Sequence, residues 1–536
     1  LQISSLDFEE KEILSYSAIF RIPFKKEALL WISEYETSQT DRLINSLYLK
    51  RLLEVNNQQD FTLHPLIREV LLGLTDIETF KKLNSKIAQY YSLANWNNKP
   101  LNLNQMSYQL EAHFHYFAAK EFEKAGIIVN KLSLSLQGLG YHNYLESLLN
   151  DTIKTCSGVI EAMARHRLAG LAFTRGQLEE AETQWLQALK IFESEKNPNG
   201  IAHIYHSLGR VKQTRGNYQE ALNRYDSAIK ISLENNNYIQ AGISQHQVAY
   251  IHFLTGNYNQ ALHASQICLS YRELGKHIKG KAISLHLLGM IKEIQGDYKE
   301  AENDYRSSLE IEQSYGIKNR IAICIRSLGN ICLVKGKLEE AKSLFNESYE
   351  IVKELGAKLS IAESLDCMGT VSLILGEIEI AESFFSQSFE IRQNVGFPLG
   401  IAQSLRHFSN ISLEKGEYQL TRSYLEEGLE IVKKQNNKLA QIDIWLDFGK
   451  LELRCFNFLH AKELANQALC TSQEIGYRAG VALAQLLLGE VFIQLKVYPE
   501  ASQQLINCKK IFSELERTPD IIKAQQLLRE LEEHIP

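Results

Sequence analysis

Residues 201–234 read IAHIYHSLGRVKQTRGNYQEALNRYDSAIKISLE. Ile201, Tyr205, Leu208 and Val211 recur at helical spacing and predict a helix over 201–214, with Gly209 leaving room for a neighbouring helix to come close. Gly216 falls just past the last turn, where a left-handed residue ends a helix without a Cβ penalty. Tyr218, Ala221, Tyr225, Ala228 and Ile231 predict a second helix over 218–234, with small residues where the two helices cross. The unit is a helical hairpin. Nine copies follow one another from about 160 to 516. Their period of about 40 residues is of the length at which a repeat forms one supersecondary unit.

The register is carried by Leu208-Gly209, Leu288-Gly289, Leu328-Gly329 and Leu488-Gly489, then by a glycine eight residues on, and by an alanine series that includes Ala181, Ala221, Ala261 and Ala301. A second glycine, at 316, 356, 396 and 476, is expected to end the second helix. One hairpin cannot bury its own apolar faces, so the copies must stack into a superhelical solenoid. The ends of such an array are atypical. Phe456 and Lys496 stand where the glycine belongs, and 521–535 predicts a final helix with a charged outer face within a capping segment, 517–536.

Composition agrees with long helices and excludes a many-stranded fold: only 8 prolines and 30 glycines punctuate 536 residues, of which 45% are hydrophobic and 23% charged. A net charge of -6 gives no global attraction to nucleic acid or anionic membrane. No apolar run approaches the ~18 residues that span a bilayer, and no signal segment opens the chain. A soluble, cytoplasmic protein is expected, and the missing initial Met predicts that these residues belong to something longer. The eight cysteines contain no CxxC pair, which disfavours a zinc clasp. Cys268 and Cys508 take the small-residue slot of second helices, where packing is the expected role.

Residues 1–75 do not follow the period. Helices are predicted at 7–20, 24–33 and 40–53, a hairpin around Asn56–Asp60, and a further helix opened by Pro65. Three helices and a β wing make a winged-helix arrangement. Its third helix carries Arg42, Lys50 and Arg51 against Asp41 and Glu54, a weak grip on phosphate, so nucleic acid is not the expected partner. Residues 76–158 read as an irregular helical linker with a degenerate repeat at 111–129, in which Ala125 takes the alanine position.

Two stretches, LGRVKQTRGNYQEALNRYDSAI (208–229) and LGNICLVKGKLEEAKSLFNESY (328–349), resemble tetratricopeptide (TPR) repeats. The longer period and the lack of a proline closing the second helix are similar to the TPR subgroup of Pins/LGN-type adaptors, kinesin light chains and bacterial signalling proteins. The resemblance implies an all-α fold: a right-handed TPR superhelix, an α-solenoid, over 159–516, with a small N-terminal winged-helix domain. FRIPFKKEALLWI (20–32), LINSLYLKRLLEV (43–55) and FTLHPLIREVLL (61–72) resemble the winged-helix module that ends the nucleotide-binding core of STAND (NB-ARC-like) NTPases. That likeness implies that His64, within Leu63-His64-Pro65, contacts a nucleotide phosphate in a full-length NTPase.

The rest of a nucleotide site is missing. Gly275–Lys281 has phosphate-loop spacing, but Ala282 replaces the hydroxyl, no strand precedes it, and its glycines are expected in an inter-repeat turn together with Gly200, Gly400 and Gly480. The chain is therefore not expected to be an enzyme or to hold a cofactor. An NTPase domain binding ADP or ATP is expected upstream in the longer protein, as an intramolecular partner.

In the TPR family the first helix lines the concave surface. The fifth position of that helix reads His206, His246, His286, Arg326, Asp366 and Arg406, and the ninth includes Arg210, Tyr250, Asn330 and Asn410. An asparagine amide offers donor and acceptor to a peptide backbone, and an arginine one turn away can fork a carboxylate. In the Pins/LGN and kinesin light chain groups such asparagines hold an extended peptide. The alternative is that these side chains solvate the wall or bond neighbouring helices to one another. A shared zinc is disfavoured, because residues one helix-packing distance (~8–10 Å) apart cannot converge to ~2.0–2.1 Å from one ion. The histidines are expected to make binding pH-sensitive near ~6.5.

The function expected from the sequence is the protein- or peptide-binding sensor region of a bacterial STAND-type signal-transduction protein, with no membrane partner. The rival readings are a transcription regulator whose winged helix touches DNA while the repeats sense an inducer, and a constitutive TPR assembly scaffold.

Overall fold

A computed structural model of the chain describes residues 3–93 and 102–532. Leu1, Gln2, residues 94–101 of the expected linker and the last four residues of the expected capping segment lie outside the described residues. The chain forms two compact units, Leu1–Asn217 and Tyr218–Pro536.

The first unit opens with α1 (Phe8–Ile19), α2 (Lys26–Ser33) and α3 (Thr37–Leu49), followed by the antiparallel strands β1 (Leu53–Val55) and β2 (Phe61–Leu63) and then α4 (Pro65–Leu74). Asp7 and Glu10 cap α1 reciprocally, each side chain bonding the other's backbone N–H. Leu53 pairs with Leu63, and Phe24 bridges to Phe61 beside the hairpin. Ile13, Leu14, Leu29, Ile44, Leu47 and Ile87 form the core beneath. The third helix is earlier than expected, ending at Leu49 rather than at 53, and Arg51 takes a left-handed φ of 58° that turns the chain into β1. The unit continues with α5 (Ile77–Ser92), α6 (Ser107–Ala118), α7 (Phe122–Gly138), α8 (His142–Thr155), α9 (Gly158–Thr174), α10 (Leu178–Ser194) and α11 (Pro198–Thr214). Ala125, at the alanine position of the degenerate repeat, is 1% exposed.

The second unit begins with α12 (Tyr218–Glu234) and continues as hairpins: α13 (Tyr238–Leu254) with α14 (Tyr258–Leu274), α15 (Ile278–Gln295) with α16 (Tyr298–Ser314), and α17 (Lys318–Val334) with α18 (Leu338–Glu354). Then come α19 (Lys358–Ile374) with α20 (Ile378–Val395), α21 (Pro398–Glu414) with α22 (Tyr418–Lys434), α23 (Lys438–Arg454) with α24 (Phe458–Ile475), α25 (Arg478–Gln494) with α26 (Tyr498–Glu514), and a last helix, α27 (Thr518–Glu532). From Pro198 to Arg478 the first helices start at one constant interval, as the period requires. Among the described residues β1 and β2 are the only strands, so the fold is all-α. No helix among them is long and apolar enough to cross a membrane.

Glycine does two jobs in each hairpin. Just past the first helix the chain turns left-handed, with φ of +76° to +90° at the seven glycines from 176 to 416, and Phe456 (φ 61°) and Lys496 (φ 58°) keep that conformation without glycine's freedom. The second job is close approach. A Cβ at Gly329 would lie 2.5 Å from a ring carbon of Phe345, and one at Gly369 would lie 2.6 Å from the equivalent atom of Phe385.

One expectation fails. Gly200, Gly280, Gly400 and Gly480 lie not in the inter-repeat turn but in the first turn of α11, α15, α21 and α25. The reason is packing: side chains at the end of the preceding helix, Phe192, Arg272, Arg392 and Ser472, occupy the space a Cβ would need.

Within the second unit the solenoid also meets itself. The turns after first helices, at Gly256, Gly296 and Gly336, lie against the chain that follows second helices about five repeats later. A Cβ at Gly256 would sit 3.2 Å from Ile475, one at Gly336 would sit 3.2 Å from Pro519, and one at Gly296 would strike Leu515. Arg517 donates to the Tyr298 hydroxyl at 3.3 Å, and Lys335 lies 3.6 Å from Glu516. The contact is a seam between successive turns of the superhelix.

Candidate functional site

First helices touch one another: α13 with α15, α17 with α19, α21 with α23, α23 with α25, and α15 with α25 five hairpins on. Together they make one wall of the second unit, and the fifth and ninth positions lie along it.

The fifth position spends its bonding on the next helix. His286 Nε2 lies 3.1 Å from Ser327 Oγ, Arg326 pairs with Glu363, and Arg406 donates to Asp447 at 2.7 Å and to Asp443 at 3.0 Å. Asn330, in the ninth position, receives the Cys367 thiol at 3.7 Å, a weak contact between the same two helices as the Arg326–Glu363 pair. Asp366 does not face the open wall. It is 3% exposed and pairs at 2.6 Å with Arg392, itself 1% exposed on α20. Tyr250 is 36% exposed and stacks on Phe253. Asn410 is half-buried. In the first unit, the Arg210 guanidinium covers the Phe173 ring at 4.5 Å, and His206 is half-buried on the same helix.

The sequence reasoning did not reach Ser327, Glu363, Asp443 and Asp447. A signal was present for the acids. Glu363 follows Arg326 at the same sequence separation as Asp443 follows Arg406, the spacing that carries a side chain to the facing side of the next first helix.

Electrostatics on the wall follow burial. Burial pushes His286 down to about 3 and His246 to about 4, with Arg320 adding to both. Burial likewise takes His166 to about 3, where it accepts from Trp185 Nε1 at 3.0 Å. At such values His246 and His286 are neutral near pH 6.5, against the expectation of a pH switch at these two residues. Burial opposes the Asp447 charge, but Lys450 and Arg406 hold the carboxyl down at about 2; burial raises its neighbour Asp443.

Open space lies further along the wall. A pocket of about 760 Å³ is bounded by the ends of α21, α23 and α25 and by α27, with Tyr418, Lys450, Arg454, Phe456, Glu490 and Lys523 among its lining. Lys450 and Glu490 continue the ninth-position series. Lys450 bonds Asp447 at 2.8 Å and Glu490 bonds Lys523 at 2.7 Å, while Arg454 is exposed. A smaller pocket of about 280 Å³ adjoins Arg406 and Asp443. The larger pocket therefore lies beyond the residues 206–410 singled out from the sequence.

His64 caps α4, its Nδ1 accepting from the Leu66 N–H at 3.3 Å. A pocket of about 370 Å³ beside it is lined by Arg21, Leu63 and Arg68, and not by His64. Gly275–Lys281 runs from the end of α14 into the first turn of α15, with no strand before it. That stretch is therefore not a phosphate-binding loop between a strand and a helix. Arg42 on the third helix pairs with Glu9 at 2.7 Å, and Lys50, just past its end, pairs with Glu10 at 2.5 Å. Among the described residues no three His, Cys, Asp or Glu side chains converge as metal ligands would, and the cysteines are free thiols.

The tetratricopeptide repeat family matches residues 160–234, 240–314 and 280–354, so the hairpins there are TPR repeats. Among solved structures, the chain is similar to a Signal Transduction ATPase with Numerous Domains (STAND) protein with a tetratricopeptide repeat sensor from Pyrococcus horikoshii, at 16% identity and a TM-score of 0.60 over 82% of this chain and 66% of that one. The chain thus spans just under two thirds of that protein. It is also similar to the apo form of RapI, at 15% identity and a TM-score of 0.50, over 66% of this chain and 98% of that one. At such identities the likeness is one of fold. No curated protein matches the chain.

Proposed function

We propose that the chain is the ligand-sensing region of a STAND-type signal-transduction protein, and that it binds a peptide or an extended protein segment along the wall of first helices. The observation that carries this reading is the pocket of about 760 Å³ where that wall runs into α27, lined by both cationic and anionic side chains and by Tyr418 and Phe456. Such a lining suits a peptide, which brings backbone donors and acceptors, charges of both signs and apolar side chains together. The likeness to a STAND protein with a TPR sensor supports the signalling context. Residues 1–75 act in this reading as the winged-helix joint to an upstream NTPase domain. Ligand binding shifts that domain only if the ligand prefers the active arrangement. The DNA-binding alternative gains nothing from Arg42 on the third helix and Lys50 just past it, both paired internally.

The test is to pan a displayed random-peptide library on the chain and titrate the recovered peptide against Lys450→Glu and Glu490→Lys variants by calorimetry. Each charge reversal is expected to weaken binding by about 1–3 kcal/mol, as expected for a charged hydrogen bond lost from a binding site. Failure to recover any peptide, or equal affinity across the variants, would remove the proposal. Asn410→Ala asks in the same titration whether the ligand extends back along the wall.

A further inference from the structure

The seam inside the second unit is built from two kinds of rim. One rim is the row of turns after first helices, with its left-handed glycines; the other is the row of turns after second helices. Where they meet, the residues between them are buried: Tyr258 (3%) and Tyr298 (5%) on the first rim, Ile475 (6%) and Leu515 (1%) on the second.

The same repeat positions recur where no seam covers them. On the first rim, Tyr418 holds the position of Tyr258 and Tyr298 but is 39% exposed, with Leu420 beside it at 43%. The glycine notches at 376 and 416 keep the left-handed conformation of Gly296, and nothing lies within 4 Å of a Cβ built on either. On the second rim, Tyr315, Leu355 and Val395 hold the position of Ile475 and Leu515, yet they are 39%, 44% and 42% exposed. Each half of the seam is therefore present a second time with its apolar side chains in solvent.

The two exposed halves also differ in charge. Around the open notches the first rim displays the exposed Glu379, Glu414 and Glu417, with Lys415 paired to Glu382, whereas the second rim displays the exposed Lys276, Lys353 and Lys358, with Lys318 paired to Glu354. Acidic notches on one edge and basic, apolar knobs on the other are complementary in both shape and sign.

We propose that a second copy of this chain docks its second rim, through Tyr315 and Leu355, onto the first rim at Gly376, Gly416 and Tyr418, competing there with a ligand in the pocket that Tyr418 also lines and repeating between molecules the seam that closes the unit on itself. The contact joins unlike surfaces, so it is heterologous and passes head-to-tail from copy to copy. Phe456, which replaces the glycine one repeat further on and stands 78% exposed in a left-handed conformation, fills the next notch and fixes where the contact stops.

Sedimentation velocity of the chain across a concentration series tests this. Wild type is expected to associate with rising concentration, and more weakly at high salt because the rims are oppositely charged. Leu420→Lys spoils the first rim and Leu355→Glu the second, each by placing a charge against its like; both residues are exposed, so circular dichroism should report an unchanged fold. Each variant alone is expected to lose at least about tenfold in association. Mixed together, they retain one intact pair of rims and should associate again. A wild type that stays monomeric, association that survives both substitutions, or a mixture that fails to pair would each overturn the proposal. A monomer would leave the rims to a different partner.

Discussion

Gly329 sets how closely α17 can sit on α18. A methyl group there would meet the Phe345 ring at 2.5 Å, and that ring is fully buried, so it cannot swing away. Gly329→Ala is expected to cost about 1–3 kcal/mol, the usual penalty for overpacking, read as a lower urea midpoint at unchanged slope. This much was legible, because a Leu-Gly pair recurring at one fixed interval has no cause but packing. The histidines were not. A polar residue recurring on one helix face reads as solvent-exposed, and only the neighbouring helices reveal that His246 and His286 are held neutral. Their pKa values are depressed, so between about 3 and 6.5 the unfolded chain binds more protons than the folded one, and stability falls as pH falls through that window. For His286 the loss from pH 7 to 5 is roughly 1–2 kcal/mol. Glu293 works in the opposite sense, since burial raises it to about 7. The informative quantity is therefore the stability difference between wild type and His286→Asn, which should narrow on acidification. A difference that stays constant from pH 7 to 5 would show that His286 is not held neutral.

At the scale of elements, helices and turns could be placed from periodicity, and the bonds between helices could not. The second helix expected at 218–234 is Tyr218–Glu234. The helix expected at 201–214 starts at Pro198 rather than Ile201, because proline suits the first helical position and Gly200 lets the first turn wind against Phe192. Between helices, the decisive contacts link residues whose alignment no single repeat displays. Arg392 at the end of α20 is the clearest case: it pairs with Asp366 on α19, donates to the Gly400 carbonyl at 3.0 Å, and reaches Ser404 Oγ at 2.9 Å on α21. One buried cation thus ties three helices from two hairpins. Asp366→Ala would leave that guanidinium without its counter-charge and is expected to destabilise the array by about 3–5 kcal/mol in chemical denaturation. Replacing Asp366 and Arg392 together by apolar residues should cost much less, because the penalty belongs to the orphaned charge rather than to the pair. Equal losses in the single and double variants would assign the effect to packing instead.

Across the second unit as a whole, the seam changes what kind of repeat protein this is. A linear solenoid couples only neighbouring repeats, so its parts can open separately. Here Gly256, Gly296 and Gly336 are pinned by Ile475, Leu515 and Pro519, so hairpins about five repeats apart are coupled as well. No sequence pattern marks these three glycines, since the same glycine stands in repeats outside the seam; the coupling arises from the pitch of the stacked hairpins. Leu515 is the keystone apolar residue, packed with Tyr298, Tyr305 and Leu328, and Arg517 supplies the polar link to Tyr298. Leu515→Ala removes a fully buried side chain and is expected to cost about 2–5 kcal/mol. Its location gives that loss a distinctive form. Amide exchange should accelerate at Gly296–Lys299 and near Gly336, far from the substitution in sequence, as well as at the α26–α27 turn. Arg517→Ala should produce the same pattern more weakly, since across the seam it removes the 3.3 Å hydrogen bond to Tyr298, with its local pair to Asp520, and leaves the apolar contact of Leu515 in place. Acceleration confined to residues around 515 in both variants would mean that the turns of the superhelix touch without supporting each other, and that the unit unfolds as a linear array.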